Sequence, residues 1–246
     1  MTATNLTNGA TPTVALVHGA FADSSGWNGV VERLQRADVP VQAVSNPLRG
    51  IAADTAYVAS ALAQIPGPVL AVGHSYGGAI ITNAAAKVDN VVGLVFVAAF
   101  APDEGEVLGE ISADSKDSVL NSALVELQYP TGVGDETAAE FAINPLSFHE
   151  AFAADLPEQE SAVMAATQRP VAALGFSEVN GKPAWKDLPS WPLVATGDKA
   201  AGADVVRSMA QRAGAQIVEA EGSHVIMVSQ PQAVVDLIQV ALKSLA

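Results

Sequence analysis

The sequence has no cysteine among its 246 residues. Disulfide bridges and thiolate metal ligands are therefore both excluded. Histidine is nearly as scarce, and the four present are scattered, whereas a zinc hydrolase would need a gathered ligand cluster. Basic residues are few: 12 Lys and Arg stand against 26 Asp and Glu, a net charge of −14. A balance this acidic argues against nucleic acid and anionic membrane as partners. No apolar run approaches the length of a membrane span. No glycine-rich phosphate loop occurs, so nucleotide binding is not expected. The opening residues, MTATNLTNGATPT, lack a basic stretch followed by an apolar one. They do not read as a signal peptide, and residues 1–12 are expected to form a loose tail. A soluble, cytoplasmic protein with no metal and no cofactor is the expectation.

What is abundant is hydrophobic sequence, half of all residues, enough for a sizeable core. The length suits one α/β domain carrying an insertion. Apolar runs and helical periodicities alternate through the first hundred residues. Strands are expected at Val14–Val17, Val39–Val44, Val69–Val72 and Val91–Ala98, and helices at Trp27–Arg36, Thr55–Gln64 and Gly77–Lys87. Strands apolar on both faces and separated by helices imply a parallel sheet covered on both sides. The rhythm breaks at Pro102. From Asp103 to Leu188 the pattern is read as amphipathic helices, at Lys116–Gln128, Glu136–Ala142, Ser147–Asp155 and Pro157–Gln168. Alternation resumes with strands at Pro192–Ala195 and Gln216–Val218 and helices at Asp204–Ala213 and Pro231–Leu245. The expected fold is thus α/β, a mostly parallel doubly wound sheet built from residues 13–102 and 189–246, with a small helical cap inserted at 103–188.

Within this frame AVGHSYGGAII, residues 71 to 81, places Ser75 between a strand and a helix. That is the context a G-x-S-x-G nucleophile turn requires, with the serine oxygen standing clear at the carboxyl end of the sheet. A serine needs a base to become a nucleophile. His74 is adjacent, but consecutive side chains diverge. His18 ends the first strand and is read as orienting the loop that follows, and His149 falls in the insertion. His224, in EGSHVIMVSQP, lies in a loop that leaves the same sheet edge as Ser75, and is read as the base. A carboxylate must then hold the imidazole tautomer. Asp198, in PLVATGDK, is the first candidate, Asp103 in FAPDEGE the competitor and Glu104 a weaker one. Two backbone N–H donors are needed for the oxyanion: Tyr76, directly after the nucleophile, and Ala20 in HGAF, with Phe21 as the alternative.

LVHGAF, GHSYGG, TGDK and GSHVIMVSQP resemble, in order and spacing, the α/β-hydrolase superfamily, over essentially the whole chain after residue 12. HGA followed by Trp27, and SHxxMxSxP after the base, look like its small esterase and hydroxynitrile lyase branch, in which a compact helical cap sits at the insertion. Two departures are visible. Ala195 stands where the family usually carries a glycine three residues before the acid. Val225, Ile226 and Met227 follow His224, where plant-type hydroxynitrile lyases place a lysine near the catalytic histidine to hold cyanide. A dehalogenase of this type would need aspartate in place of Ser75.

The resemblance implies a carboxylesterase acting on small to medium apolar esters through an acyl-serine, with a small-molecule ester as its partner. The alternatives are a lyase or other non-hydrolytic enzyme using the same triad, and a catalytically slow ligand receptor. The pattern gives no oligomeric state.

Overall fold

The computed structural model describes residues 11–214 and 216–246. Most of the expected N-terminal tail, residues 1–10, lies outside the described residues. The chain begins with β1 (Thr13–Val17), α1 (Asn28–Arg36), β2 (Val41–Val44), α2 (Ile51–Ala63), β3 (Val69–His74), α3 (Tyr76–Ala85) and β4 (Val91–Val97). Then come α4 (Leu108–Ala113), α5 (Leu120–Ala123), β5 (Leu124–Pro130), β6 (Thr137–Ile143), α6 (Pro145–Phe152), α7 (Glu158–Thr167), β7 (Val171–Ala172) and α8 (Leu174–Ser177). The last third holds β8 (Ser190–Ala195), α9 (Ala203–Arg212), β9 (Val218–Ala220), α10 (Ile226–Ser229) and α11 (Pro231–Leu245).

Six strands form one parallel sheet in the order β2-β1-β3-β4-β8-β9. The pattern of apolar runs explains the order of burial. β3 is buried at every position and β1 and β4 nearly so, because helices cover both their faces. The edge strands β2 and β9 are only partly buried, as strands with one unpaired side are. α2 packs on α3, and α1 on α11, so that the two pairs flank the sheet. Because all six strands run the same way, the loops after β1, β3, β8 and β9 emerge along one edge, and these loops carry His18–Phe21, Ser75, Asp198 and His224.

The insertion corrects the expectation of a purely helical cap. Lys116–Gln128 and Glu136–Ala142 are not helices. Only Leu120–Ala123 makes a helical turn, and Leu124–Pro130 and Thr137–Ile143 form the β5–β6 hairpin, joined by β7 into a three-stranded antiparallel sheet. The reason is local. Val125, Leu127 and Tyr129 alternate with Glu126 and Gln128, a period of two that suits a strand. Pro130 stops a helix, and Gly132 and Gly134 take φ of +84° and +55°, values open to glycine and costly for other residues, so TGVGD turns the chain back on itself. The alanines of TAAEFA, good helix formers in isolation, are overridden by that pairing. α6 and α7 complete the cap, close to the expected helices at Ser147–Asp155 and Pro157–Gln168. At the far edge the expected strand Gln216–Val218 lies two residues further on, at Val218–Ala220.

Candidate active site

Ser75 sits between the last residue of β3 and the first of α3 with φ 54° and ψ −126°. A positive φ at a non-glycine residue is unfavourable and persists only where its surroundings fix it. Here they do. The Ser75 N–H donates to Val97 O at 3.3 Å, and its carbonyl accepts from Gly78 N at 2.9 Å and Phe100 N at 3.1 Å. The turn closes tightly enough to demand glycines on either side. A Cβ at Gly73 would lie 2.6 Å from Gly77 O, and one at Gly77 would lie 2.6 Å from Val17 O and 2.8 Å from His18 O.

The structure brings Asp198, and not Asp103, to His224. Asp198 Oδ2 accepts the Nδ1–H of His224 at 2.8 Å, and both side chains are buried. The other carboxylate oxygen accepts the N–H groups of Ala200 and Ala201 at 2.9 and 3.0 Å. The carboxylate is thus fixed from behind, and it fixes the imidazole tautomer with Nε2 left to exchange a proton. Asp103 is engaged elsewhere. It pairs with Lys186, which holds its carboxyl below the usual range, and it also accepts the N–H of Glu104 at 2.6 Å within the turn. Glu104 is exposed.

The remaining histidines are structural supports. His18 Nε2 accepts the N–H of Asn46 at 2.9 Å, so its Nδ1–H donates to Gly19 O at 2.9 Å. Burial pushes its pKa down to about 4, so it stays neutral and steadies the loop that presents Ala20. His74 is fully buried, and its Nε2–H donates to the carbonyl of His224 at 2.9 Å. Burial, with His224 alongside, holds it well below the ordinary histidine range. The residue next to the serine therefore anchors the loop of His224, a role the sequence pattern gave no sign of. A second anchor comes from the cap: Ser223 Oγ donates to the carboxylate of Asp155. His149 Nε2 donates to Leu156 O at 3.0 Å, inside the cap.

Ser75, His224, Ala20 and Tyr76 line one small chamber, otherwise walled by Phe21, Phe100, Leu120, Phe152, Phe176, Ala200 and Ala201. Among the described residues, no protein acceptor takes up the backbone N–H of Ala20 or Tyr76. The Tyr76 side chain is buried, and its hydroxyl donates to Asp54 Oδ2 at 2.8 Å. Burial raises the pKa of that tyrosine, with Asp54 adding to the effect. Asp54, a lone carboxylate in the apolar run IAADTAY, was the available sequence signal for this anchor. Of the apolar cap residues, Leu120, Phe152 and Phe176 reach the chamber, and the Phe152 ring lies 5.0 Å from that of His224. Phe148 packs behind Phe152, Leu127 is exposed on the hairpin, and Trp185 donates its Nε1–H to Pro102 O. Among the described residues no cluster of three or more His, Asp or Glu gathers that could hold a metal ion. No helix among them is long and apolar enough to cross a membrane.

No curated protein sequence matches the chain. Solved structures do match its shape. Polyneuridine aldehyde esterase is 18% identical with a TM-score of 0.77, over 94% of this chain and 100% of that one. Tomato methylketone synthase I, in complex with 2-tridecanone, is 19% identical with a TM-score of 0.76, over 96% and 100%. A methylesterase from Arabidopsis is 17% identical with a TM-score of 0.75, over 94% and 99%. At such identities the likeness is one of fold alone. The model of the alpha/beta hydrolase family matches residues 14–237, and the chain belongs to that family.

Proposed function

We propose that the chain is a serine hydrolase acting on carboxylic esters of small to medium size and apolar character. The observation that carries this reading is that a strained Ser75 lines the same chamber as His224, whose imidazole is held by the buried Asp198. Ser75 Oγ attacks the ester carbonyl while His224 Nε2 accepts its proton. Asp198 holds the Nδ1–H and stabilises the imidazolium that results. The carbonyl oxygen becomes an oxyanion held by the N–H groups of Ala20 and Tyr76. The tetrahedral intermediate collapses as His224 returns the proton to the departing alcohol oxygen. Water then attacks the acyl-serine by the same sequence, releasing the acid and restoring Ser75.

Two of the fold relatives are named as esterases, which supports the same reading. Among the described residues, the chamber wall carries no lysine or arginine to hold a small anion such as cyanide, which favours hydrolysis over cyanohydrin cleavage. The test is Ser75→Ala assayed with an activated ester. Turnover should fall about a millionfold, the scale seen when subtilisin loses its nucleophile, with the fold intact. A fluorophosphonate should label the wild-type serine and leave the variant unlabelled. Labelling that survives the substitution would remove Ser75 from this role.

A further inference from the structure

Ser75 is only 6% exposed and His224 1%. The chamber they share has a free volume of about 10 Å³, room for little more than one water and far below the roughly 300–1,000 Å³ usual for small-molecule sites. A second hollow lies beside it, an open groove of about 200 Å³ between residues 22–28, α7 and α10. Its apolar surface comes from Ala22, Val163, Met164 and Met227, with carboxylates at Asp23 and Glu160. Val163 is 59% exposed there. Among the described residues one residue lines both hollows, Phe21.

Phe21 is unusual in two further ways. Its φ is +59°, costly for a bulky residue, and such strain clusters at clamps and switches. It is buried, with its ring stacked on Phe176 at 6.3 Å and edge-on to Phe152 at 6.2 Å. Aromatic pairs of this kind add only modestly to the area they bury, and χ1 has other staggered wells into which the ring can turn.

Resting on the hydrolase reading, we propose that the Phe21 side chain is the gate between groove and chamber. The reacting carbonyl enters the chamber when the ring swings aside. The longer substituent of the ester stays behind in the groove, along the exposed face of α7. Phe21 therefore sets the length of ester turned over. The substrate class is a neutral ester with an extended apolar arm, since Asp23 and Glu160 repel an arm that ends in a carboxylate.

The experiment compares labelling rates of Ser75 by a short ethyl fluorophosphonate and by one carrying a decyl chain. Phe21→Ala keeps the backbone N–H and opens the wall. It should raise the decyl-to-ethyl rate ratio at least about tenfold, the scale of one pocket wall. Val163→Trp, on the exposed face of α7, should lower that ratio about tenfold and leave the fold intact. If Phe21→Ala does not fold, Phe21→Leu and Val163→Trp carry the test. Labelling with an unchanged ratio in the folded variants overturns the gate alone. Failure of both probes to label the wild-type serine overturns the hydrolase reading, and the gate with it.

Discussion

Both oxygens of Asp198 are committed, one to the N–H groups of Ala200 and Ala201 and one to His224. Asp198→Asn keeps that shape but puts an amide where a carboxylate must accept the Nδ1–H, and so favours the wrong imidazole tautomer. A loss in kcat of about 10⁴-fold is expected, as for the same change in trypsin. Asp103→Asn should change kcat by only a few fold, because that carboxylate faces Lys186. Steady-state assay of the two variants separates the roles, and the reverse ranking would transfer the acid to Asp103. Ser75 itself stores backbone strain at φ 54°. Relief of 1–3 kcal/mol, less the entropy that glycine adds to the unfolded chain, should leave Ser75→Gly about 1 kcal/mol more stable than Ser75→Ala in urea unfolding. Equal midpoints would mean that the turn is unstrained.

At the scale of elements, α3 lies so close to the end of β1 that Gly77 has no room for a methyl group. The obstructing atoms, Val17 O and His18 O, are backbone. They cannot yield without parting β1 from the helix, so Gly77→Ala should cost about 3 kcal/mol, the upper end for overpacking. Gly67→Ala, where nothing lies within 4 Å and only φ of +79° opposes the change, should cost about 1 kcal/mol. Thermal melts of the two would compare them directly. The same element pair shows what could be read from sequence. Strands such as VLAVGH announce themselves because both faces are buried, and the elbow did so because glycines are forced on it. The β5–β6 hairpin did so less plainly, since β5 is largely exposed despite its alternation and the alanines of β6 favour helix. The order Ser75, Asp198, His224 was legible because each follows a strand. The aromatic wall of Phe21, Phe100 and Phe176 was not, because a chamber depends on how separate loops meet.

Across the whole molecule, two buried neutral histidines oppose the effect of the net charge. Acidification reduces the self-repulsion of a chain at −14, which favours the folded state. His18 and His74 act in the other direction. The pKa of His18 is about 4 when folded, lowered first by burial and further by Arg169, against a raising influence from the Gly19 carbonyl and Asp23. Unfolded, it returns to about 6.5. Between these values the unfolded chain binds a proton that the folded chain does not. The contribution of His18 is therefore fully present above pH 6.5 and is lost as the pH falls toward 4. The slope approaches 1.4 kcal/mol per pH unit and totals about 3 kcal/mol. His74, lowered by burial and by its neighbours His224 and His18, adds a slope of the same sign that begins in the same window. Urea unfolding of wild type and His18→Gln at steps from pH 7 to 4.5 isolates the first contribution, because the carboxylates titrate alike in both. The variant should be the less stable at pH 7, having lost the paired bonds to Asn46 and Gly19. The gap should then narrow by about 1 kcal/mol per pH unit on acidification. Parallel curves would show that His18 takes up its proton in the folded protein as readily as in the unfolded chain.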